Sequence, residues 1–396
     1  MTQTKPRLLI AGGGHADIPL IQAGKALGFY VISSGNRLQD LGHPFADETR
    51  LEDFSNKEAM LALAKELQID AICSGCNDFA ALSAAYVAEQ LNLPGHDPLE
   101  VAELIHHKDR YREFAQKNGL ATPKAQGYAS LDAALIGLGE FQYPVITKPV
   151  DLTGGKGITR ANSISEGRKA VVQAFEMSRA KRVVVEEFIE GSRHGISTFV
   201  RNGEVVFYFH DDEYYYQNPY LVSAASSPGQ LGDACIATLI ATIQRIAHHL
   251  DLVTGLIHVQ FIVNQSGEPV IIEICRRAPG DLYTRFVQHA TGVSYPEYIV
   301  RAAAGMDCES LCQPEKQDFV TRHCIMSERP GQVREVAIDP SVKENIFDEM
   351  LWWKPDDRID DVLTQKLGIV FLRFDSPSEM REKTTQMQDL IRVIGS

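Results

Sequence analysis

Nowhere in the 396-residue chain do apolar residues run on for the roughly 18 that a membrane-spanning helix needs. The N-terminus also lacks the basic, apolar and small-residue blocks of a secretory signal, since MTQTKPRLLIAGGG passes from a polar start straight into a strand and a glycine turn. Cysteine is sparse. The seven are scattered, and the one C-x-x-C pair, Cys73 and Cys76, sits in SGCND, which reads as a loop. That spacing supports neither a disulfide framework nor a zinc site and suits a reducing, cytoplasmic setting. No block of Lys and Arg occurs, and the formal net charge is −13. Nucleic acid and anionic membrane are therefore not expected as partners, and small molecules are.

Two nucleotide signatures are missing as well. The opening RLLIAGGG, HADIPLIQAGKALG and FYVISSG read as strand, glycine turn, helix and strand, the start of a parallel α/β sheet. A dinucleotide fold would need a third glycine where Asp17 stands, and an acid after the second strand, where Ser33 and Ser34 stand. The glycines are expected only to allow a tight turn. Further on, TGGKG at 153–157 is not a P-loop, because no Lys-Ser/Thr follows a G-x-x-x-x-G and a strand rather than a helix comes next.

What is present is a soluble globular composition, 44% hydrophobic and 23% charged, over a length that suggests two or three domains. Residues 57–68 and 78–93 have helical spacing around a buried strand at 69–75, with Asn77-Asp78 as the cap of the second helix. Pro94 to Pro98 breaks this pattern, which places a boundary near residue 105. A helix from 106 ends at Asn118-Gly119. FQYPVITKPVDLTGGKGITRANS then reads as a strand ending at Lys148, a glycine loop and a second strand. Glycines let backbone N–H groups approach phosphate oxygens, and the lysine adds a fixed positive charge. KRVVVEEFIEGSRHGISTFVRNGEVVFYF (181–209) reads as a third strand, and the Tyr-rich 210–231 as an edge strand with a surface loop, or as a flap over a substrate. Residues 231–252 form an amphipathic helix.

VQFIV (259–263) and PVIIEI (269–274), joined by Gln265-Ser266-Gly267-Glu268, form a hairpin that ends in Glu273, Cys275, Arg276 and Arg277. A carboxylate beside guanidinium groups suits Mg²⁺ and phosphate, because Mg²⁺ takes hard oxygen ligands and Arg pairs bidentately with phosphate or carboxylate. A hairpin ending in a surface ion pair is the plainer alternative. Beyond it, 281–305 has helical spacing, and strands near 319–326 and 331–338 with the pattern 367–394 suggest a small α+β unit. Trp352 and Trp353 would point to opposite strand faces.

Lys108, the strand-end Lys148 with its glycine loop, VVVEEFIEG and the hairpin ending in Glu273 follow the order and spacing of the ATP-grasp superfamily. The chain resembles its biotin-carboxylase-type and carboxylate-amine ligase members, whose YPVIIK, EKYLENPRH and VEF...EMNTR segments are similar to YPVITK, EEFIEGSRH and VQF...EICRR. The resemblance implies an α/β and α+β architecture: an N-terminal parallel α/β (pre-ATP-grasp) domain over 1–105, an ATP-grasp domain over 106–305 and a small C-terminal α+β domain over 306–396. It implies that Lys108 and Lys148 contact ATP phosphates under a loop of Thr153, Gly154, Gly155, Lys156 and Gly157. Glu186 with the backbone of Glu187 and Ile189 would form the adenine hinge, and His194 would lie near the ribose. Glu273 would hold Mg²⁺, with Mn²⁺ as a substitute, and Arg277 would act beside Lys148 on the substrate carboxylate or acyl phosphate.

Two positions depart from the pattern. Gln260 stands where an acid is usual and Cys275 where an Asn is usual, so as metal ligands they offer a neutral oxygen and a poor, soft donor. Asp211, Asp212 and Asp281 are the candidates for the missing carboxylate. The implied function is an ADP-forming ligase in which ATP activates a small-molecule carboxylate for attack by an amine. Carboxyphosphate-type carboxylation and a nucleotide-binding sensor or idle paralogue are the alternatives. The partners implied are the acid and amine substrates, with a homodimer as the candidate assembly.

Overall fold

The structure is a computed structural model that describes residues 5–152 and 154–395. Its first unit is a parallel sheet in which Glu48–Thr49, Tyr30–Ser34, Arg7–Ala11 and Ala71–Ser74 lie side by side in that order. Leu8 and Ile10 face helix Ile18–Ala26, while Leu9 and Ala11 face helices Lys57–Leu67 and Asp78–Leu91. A continuous apolar run is what a strand buried on both faces requires. The glycine turn that follows is already filled. The Asp17 carboxylate accepts from the backbone N–H of Gly14 at 2.8 Å and of Cys76 at 2.7 Å.

The second unit is a small antiparallel sheet ordered Ala125–Tyr128, Val183–Glu187, Val145–Pro149 and Thr159–Ala161. Helices Leu131–Gly137 and Ile164–Met177 back it with an apolar core of their own. The run 181–209 is thus not one strand. Val183–Glu187 belongs here, whereas Gly191–Arg201 and Glu204 onward enter another sheet. The helix expected from 106 runs over Lys108–Lys117, and a separate helix, Leu99–His106, precedes it across His107.

The third unit is an antiparallel sheet of eight strands. Its order is Pro269–Cys275, Gly255–Asn264, Gly191–Arg201, Glu204–Tyr214, Ala224–Ser227, Phe319–Ile325, Gly368–Phe374 and Ile346–Leu351. The period of two sends Ile196, Ile257, Val259 and Phe261 toward helix Asp233–His249. Phe199, Phe207 and Phe209 go the other way, to helices Tyr283–Thr291 and Tyr295–Ala303. That second face, beyond the reach of those two helices, becomes the floor of the site.

Two expectations change here. The Tyr-rich strand Glu204–Tyr214 is interior rather than edge, because Ala224–Ser227 returns to pair with it. Phe319–Ile325 in turn pairs with Ala224–Ser227, so the C-terminal strands continue the central sheet instead of standing apart, and the proposed limit at 305 crosses it. A separate sheet is formed only by Arg358–Ile359, Gly331–Ile338 and Ile391–Gly395. The adjacent tryptophans divide as their alternation requires, with Trp352 stacked 4.5 Å from His15 and Trp353 packed in the C-terminal core. Among the described residues no helix is long and apolar enough to cross a membrane.

Candidate active site

The small sheet overhangs the end of the large one and leaves a cleft of two compartments. The outer one is an apolar slot walled by Ile146, Ile158, Phe188, Ile262 and Ile272, with Glu187 and Ile189 along its edge. The inner one is polar, and Lys108, Asp211, Glu213, Glu273, Arg277 and Arg322 all face it. Gln260, Glu273 and Tyr220 border both compartments.

Lys148 reaches the slot from the end of Val145–Pro149, with its ammonium 2.5 Å from Glu186 Oε1. Glu186 Oε2 accepts from Arg112 Nε at 3.0 Å. Burial pulls the Lys148 pKa down, opposed by Glu186. For Glu186, burial acts against its charge, but Arg112 and Lys148 outweigh it and hold the carboxyl below its ordinary value. The Glu186 side chain is therefore the counter-ion of Lys148, and only the backbone of the hinge is left to meet a base. Lys108 lies deeper, donating to the Leu152 carbonyl at 3.0 Å and standing 3.8 Å from Glu273 Oε1.

The glycine loop closes over the inner compartment. Gly154, Gly155 and Gly157 all have positive φ, at 66°, 73° and 72°. Gly155 is pressed against the backbone of Tyr220, where a Cβ would fall 2.7 Å from the carbonyl oxygen. Gly154 and Gly155 line the cleft, whereas Lys156 is exposed and its charge acts on Asp361 of the C-terminal region. Its expected place over the phosphates is not what this conformation shows. Thr153 lies outside the described residues.

The hairpin meets its expectation closely. Gly255–Asn264 and Pro269–Cys275 pair antiparallel around a turn in which Asn264 Oδ1 accepts from the N–H of Ser266 and Glu268, and Gln260 stands directly opposite Glu273. Gln260 Nε2 donates to Glu213 Oε1 at 2.7 Å, which brings in a carboxylate the sequence reading had passed over. Of the three aspartates considered for that place, Asp211 and Asp281 line the inner compartment. Asp212 faces the opposite side of the sheet, 2.8 Å from His194 Nδ1.

His194 is accordingly a correction. It pairs in register with Phe261, stacks on that ring at 5.4 Å and meets Ser192 Oγ at 2.6 Å, all on the helix side of the sheet. Its neighbour Arg193 faces the slot instead, over the Tyr215 ring. Cys275 does face the inner compartment, but burial pushes its thiol up to about 11. A metal binds thiolate rather than thiol, so the protonated sulfur is no ligand for Mg²⁺. Arg277 is in place, with Nε and Nη2 donating to the two oxygens of Asp78 at 2.9 and 3.3 Å.

A family model described as carbamoyl-phosphate synthase L chain, ATP binding domain, matches residues 107–311, just over half of the chain. The chain belongs to this family. It is similar to the carbamoyl phosphate synthase large chain of Halobacterium salinarum, 27% identical over 58% of this chain and 22% of that one. A phosphoribosylamine–glycine ligase of Phenylobacterium zucineum is 31% identical over 46% of this chain and 44% of that protein. The chain thus spans less than half the length of these curated relatives. An L-amino acid ligase from Bacillus licheniformis superposes over 100% of both chains with a TM-score of 0.83 at 20% identity. Phosphoribosylglycinamide synthetase from Anaerococcus prevotii does so over 99% and 100% at 0.77 and 21%. Likeness at such identities speaks for the fold, which is ATP-grasp.

Within the ATP-grasp frame, four charged residues in or behind the cleft carry roles that the sequence did not announce. Arg112 follows Lys108 by four positions on one helix, a spacing that puts both on one face and is the signal available for it. Glu213 follows Asp211 by two in a strand, which likewise shares a face. Asp78 reads from sequence as part of a helix start, and Asn77 is indeed the cap, accepting from Phe79 N–H. The Asp78 carboxylate holds Arg277 and His106 instead. Arg322, 3% exposed in a strand 45 residues beyond Arg277, carried no local signal.

Proposed function

We propose that this chain is an ADP-forming ligase: ATP phosphorylates a small-molecule carboxylate, and an amine displaces phosphate from the acyl phosphate to give an amide or peptide bond. The observation that carries this reading is the convergence of Lys148, Lys108 and Glu273 where an apolar slot opens onto a polar chamber. The slot suits a base held at the hinge backbone of Glu187 and Ile189. The two ammonium groups and the N–H groups of Gly154 and Gly155 suit its phosphates. Phosphoryl transfer needs position and charge neutralisation more than covalent chemistry from the protein, and these groups supply both.

The donor set also fits a divalent cation. Glu273, the side-chain oxygen of Gln260 and Glu213 are hard oxygens on one sheet face. Among the described residues no three of His, Cys, Asp and Glu converge as a closed metal site. Mg²⁺ commonly keeps phosphate oxygens and water in its shell, so two carboxylates and an amide are enough. When bound it would neutralise phosphate charge. Arg277, braced by Asp78, is positioned for the substrate carboxylate or the acyl phosphate. Glu213 restores an acid beside Gln260, which weakens the case for an idle nucleotide binder.

The test is to supply ATP and Mg²⁺ with panels of acids and amines and to measure ADP and phosphate, with hydroxylamine trapping the acyl phosphate. ADP release that depends on an acid is expected. Release of AMP and pyrophosphate would overturn the mechanism.

A further inference from the structure

The inner compartment holds buried acids on one side and a buried guanidinium on the other, each with a polar atom left without a partner. On one side, Asp211 and Glu213 face it from a single strand, and among the described residues no Lys or Arg lies within ion-pair distance of either. Asp211 is fully buried; Oδ2 accepts from Tyr283, and Oδ1 has no hydrogen-bond partner. On the other side stands Arg322. Its Nη1 donates to the Asp281 backbone carbonyl at 3.1 Å, and its buried Nε has no partner. Asp281 offsets only part of its charge, because that carboxylate lies 2.5 Å from Lys366 and 3.7 Å from Arg322.

Register gives the spacing. Arg322 pairs with Ala225, and Ala225 pairs with Glu213, so Arg322 sits two strands from Glu213 and diagonally from Asp211, two residues along the same strand. At about 4.8 Å per strand and 3.4 Å per residue that is roughly 10 Å from Glu213 and about 12 Å from Asp211 between backbones, with the Ala225 methyl group between. Unsatisfied buried polar atoms are costly, and burial with Glu213 beside it pushes the Asp211 carboxyl up to about 8, so a ligand bearing both an ammonium and a carboxylate would meet both atoms and draw off that proton. The other glycine turn, at 12–14, is filled from within, since Asp17 accepts from the Gly14 N–H and the Gly12 N–H goes to the Ile10 carbonyl.

We infer that this end of the chamber is the subsite of the amine substrate and that this substrate is a free α-amino acid, its carboxylate on Arg322 and its amino group on Asp211. The inference rests on the ligase reading for the word substrate, but not for the binding site. The geometry directs the amino group toward Glu273 and Arg277, since Asp211 and Gln260 both pair with Gly195 in one row across the sheet. In the transfer the amine nitrogen forms the C–N bond, and the acyl C–O bond breaks with its electron pair leaving on phosphate. The two protons lost from the ammonium pass to phosphate and solvent.

The experiment uses the full chain with Mg²⁺ and ATP, and measures ADP release with pairs of the twenty common amino acids. Each is compared with its des-amino acid and its decarboxylated amine, as L-alanine with propionate and ethylamine. Melting temperature with each compound is recorded without ATP. The expected result is that an α-amino acid serves as amine where ethylamine does not. Arg322→Gln and Asp211→Asn should each raise its KM tenfold or more while the KM for ATP stays within twofold. Arg322→Lys, which keeps the charge but loses the fork, should fall between, and it guards against a folding defect.

Equal turnover with amines that lack a carboxylate would overturn the subsite and leave the ligase reading intact. So would an Asp211→Asn enzyme with a changed Mg²⁺ requirement and an unchanged amino-acid KM, which would make Asp211 a cation ligand. If no pair releases ADP but an amino acid raises the melting temperature of the wild type and not of Arg322→Gln, the subsite stands and the ligase reading fails. No response to any amino acid in either measurement overturns the subsite.

Discussion

The chain contains two glycine turns at the ends of strands, and they have opposite fates. The first, Gly12-Gly13-Gly14, is closed by Asp17, which takes the Gly14 N–H and ties it to the Cys76 N–H of a neighbouring loop. At the second, around Gly154 and Gly155, Asp151 turns to Ser178 and Ala180 instead, and among the described residues no carboxylate fills the turn, which faces Lys108 and the cleft. Both supply backbone free of side chains, yet among the described residues only the second has no carboxylate on its N–H groups. Glycine makes close approach feasible, and the charge that fills the turn decides what approaches. An internal carboxylate makes a structural corner, and nearby lysines make a site.

Several substitutions would break or sharpen that contrast. The largest effect is expected from Lys148→Ala, which removes the fixed cation beside the second turn. Loss of a charge-assisted contact is worth about 1.5 to 3 kcal/mol, so nucleotide affinity and turnover should fall roughly tenfold to a hundredfold. Arg112 still pairs with Glu186 and should keep the variant folded. Unchanged ATP kinetics in a folded variant would take Lys148 out of the site.

Asp17→Ala attacks the other side of the comparison. It leaves the N–H groups of Gly14 and Cys76 without their partner, at about 1 to 3 kcal/mol for a buried orphan. The melting temperature should fall, and inorganic phosphate should raise it more in the variant than in the wild type. An equal phosphate effect in both would show that the turn cannot be converted into an anion site.

Smaller still is the pair Gly155→Ala and Gly154→Ala. Both positions have left-handed backbone, which costs roughly 1 to 2 kcal/mol with any Cβ. Only at 155 does the Cβ also strike Tyr220, whereas nothing lies within 4 Å of one at 154. Turnover should therefore suffer more in the 155 variant, and equal losses would mean that contact with Tyr220 does not hold the loop closed.

The smallest change is expected from Gln260→Glu, judged by the Mg²⁺ concentration at half-maximal turnover. A third anionic oxygen should lower that concentration, at some cost in stability without Mg²⁺ because the new carboxylate meets Glu213. A raised requirement would place the cation elsewhere.

Much of this site was legible because its signals are local. Lys148 ends a strand, glycines follow within nine residues, and the Glu273 hairpin announces itself by alternation around a turn. The residues that went unread find their partners far away along the chain. Arg112 and Glu186 are 74 positions apart, Asp78 and Arg277 are 199, and Glu213 and Gln260 are 47. A carboxylate at a helix start looks like part of a cap until the domain that delivers its arginine is folded against it.

The sequence by itself determined the kinds of element and the chemistry available at their ends, because alternation, glycine and chain reversal act over a few residues. Tertiary structure decided which face each side chain took and which charges were spent. Parity within one strand pairing put Arg193 in the slot and His194 behind the sheet. Glu186 went to Lys148 and Arg112, and Asp78 went to Arg277, so neither is free to bind a ligand. Arg322 and Asp211 were left facing one chamber without each other, because the return of Ala224–Ser227 put a strand between theirs. Burial makes each such outcome matter, since a buried charge must find a partner in the protein or take one from a ligand.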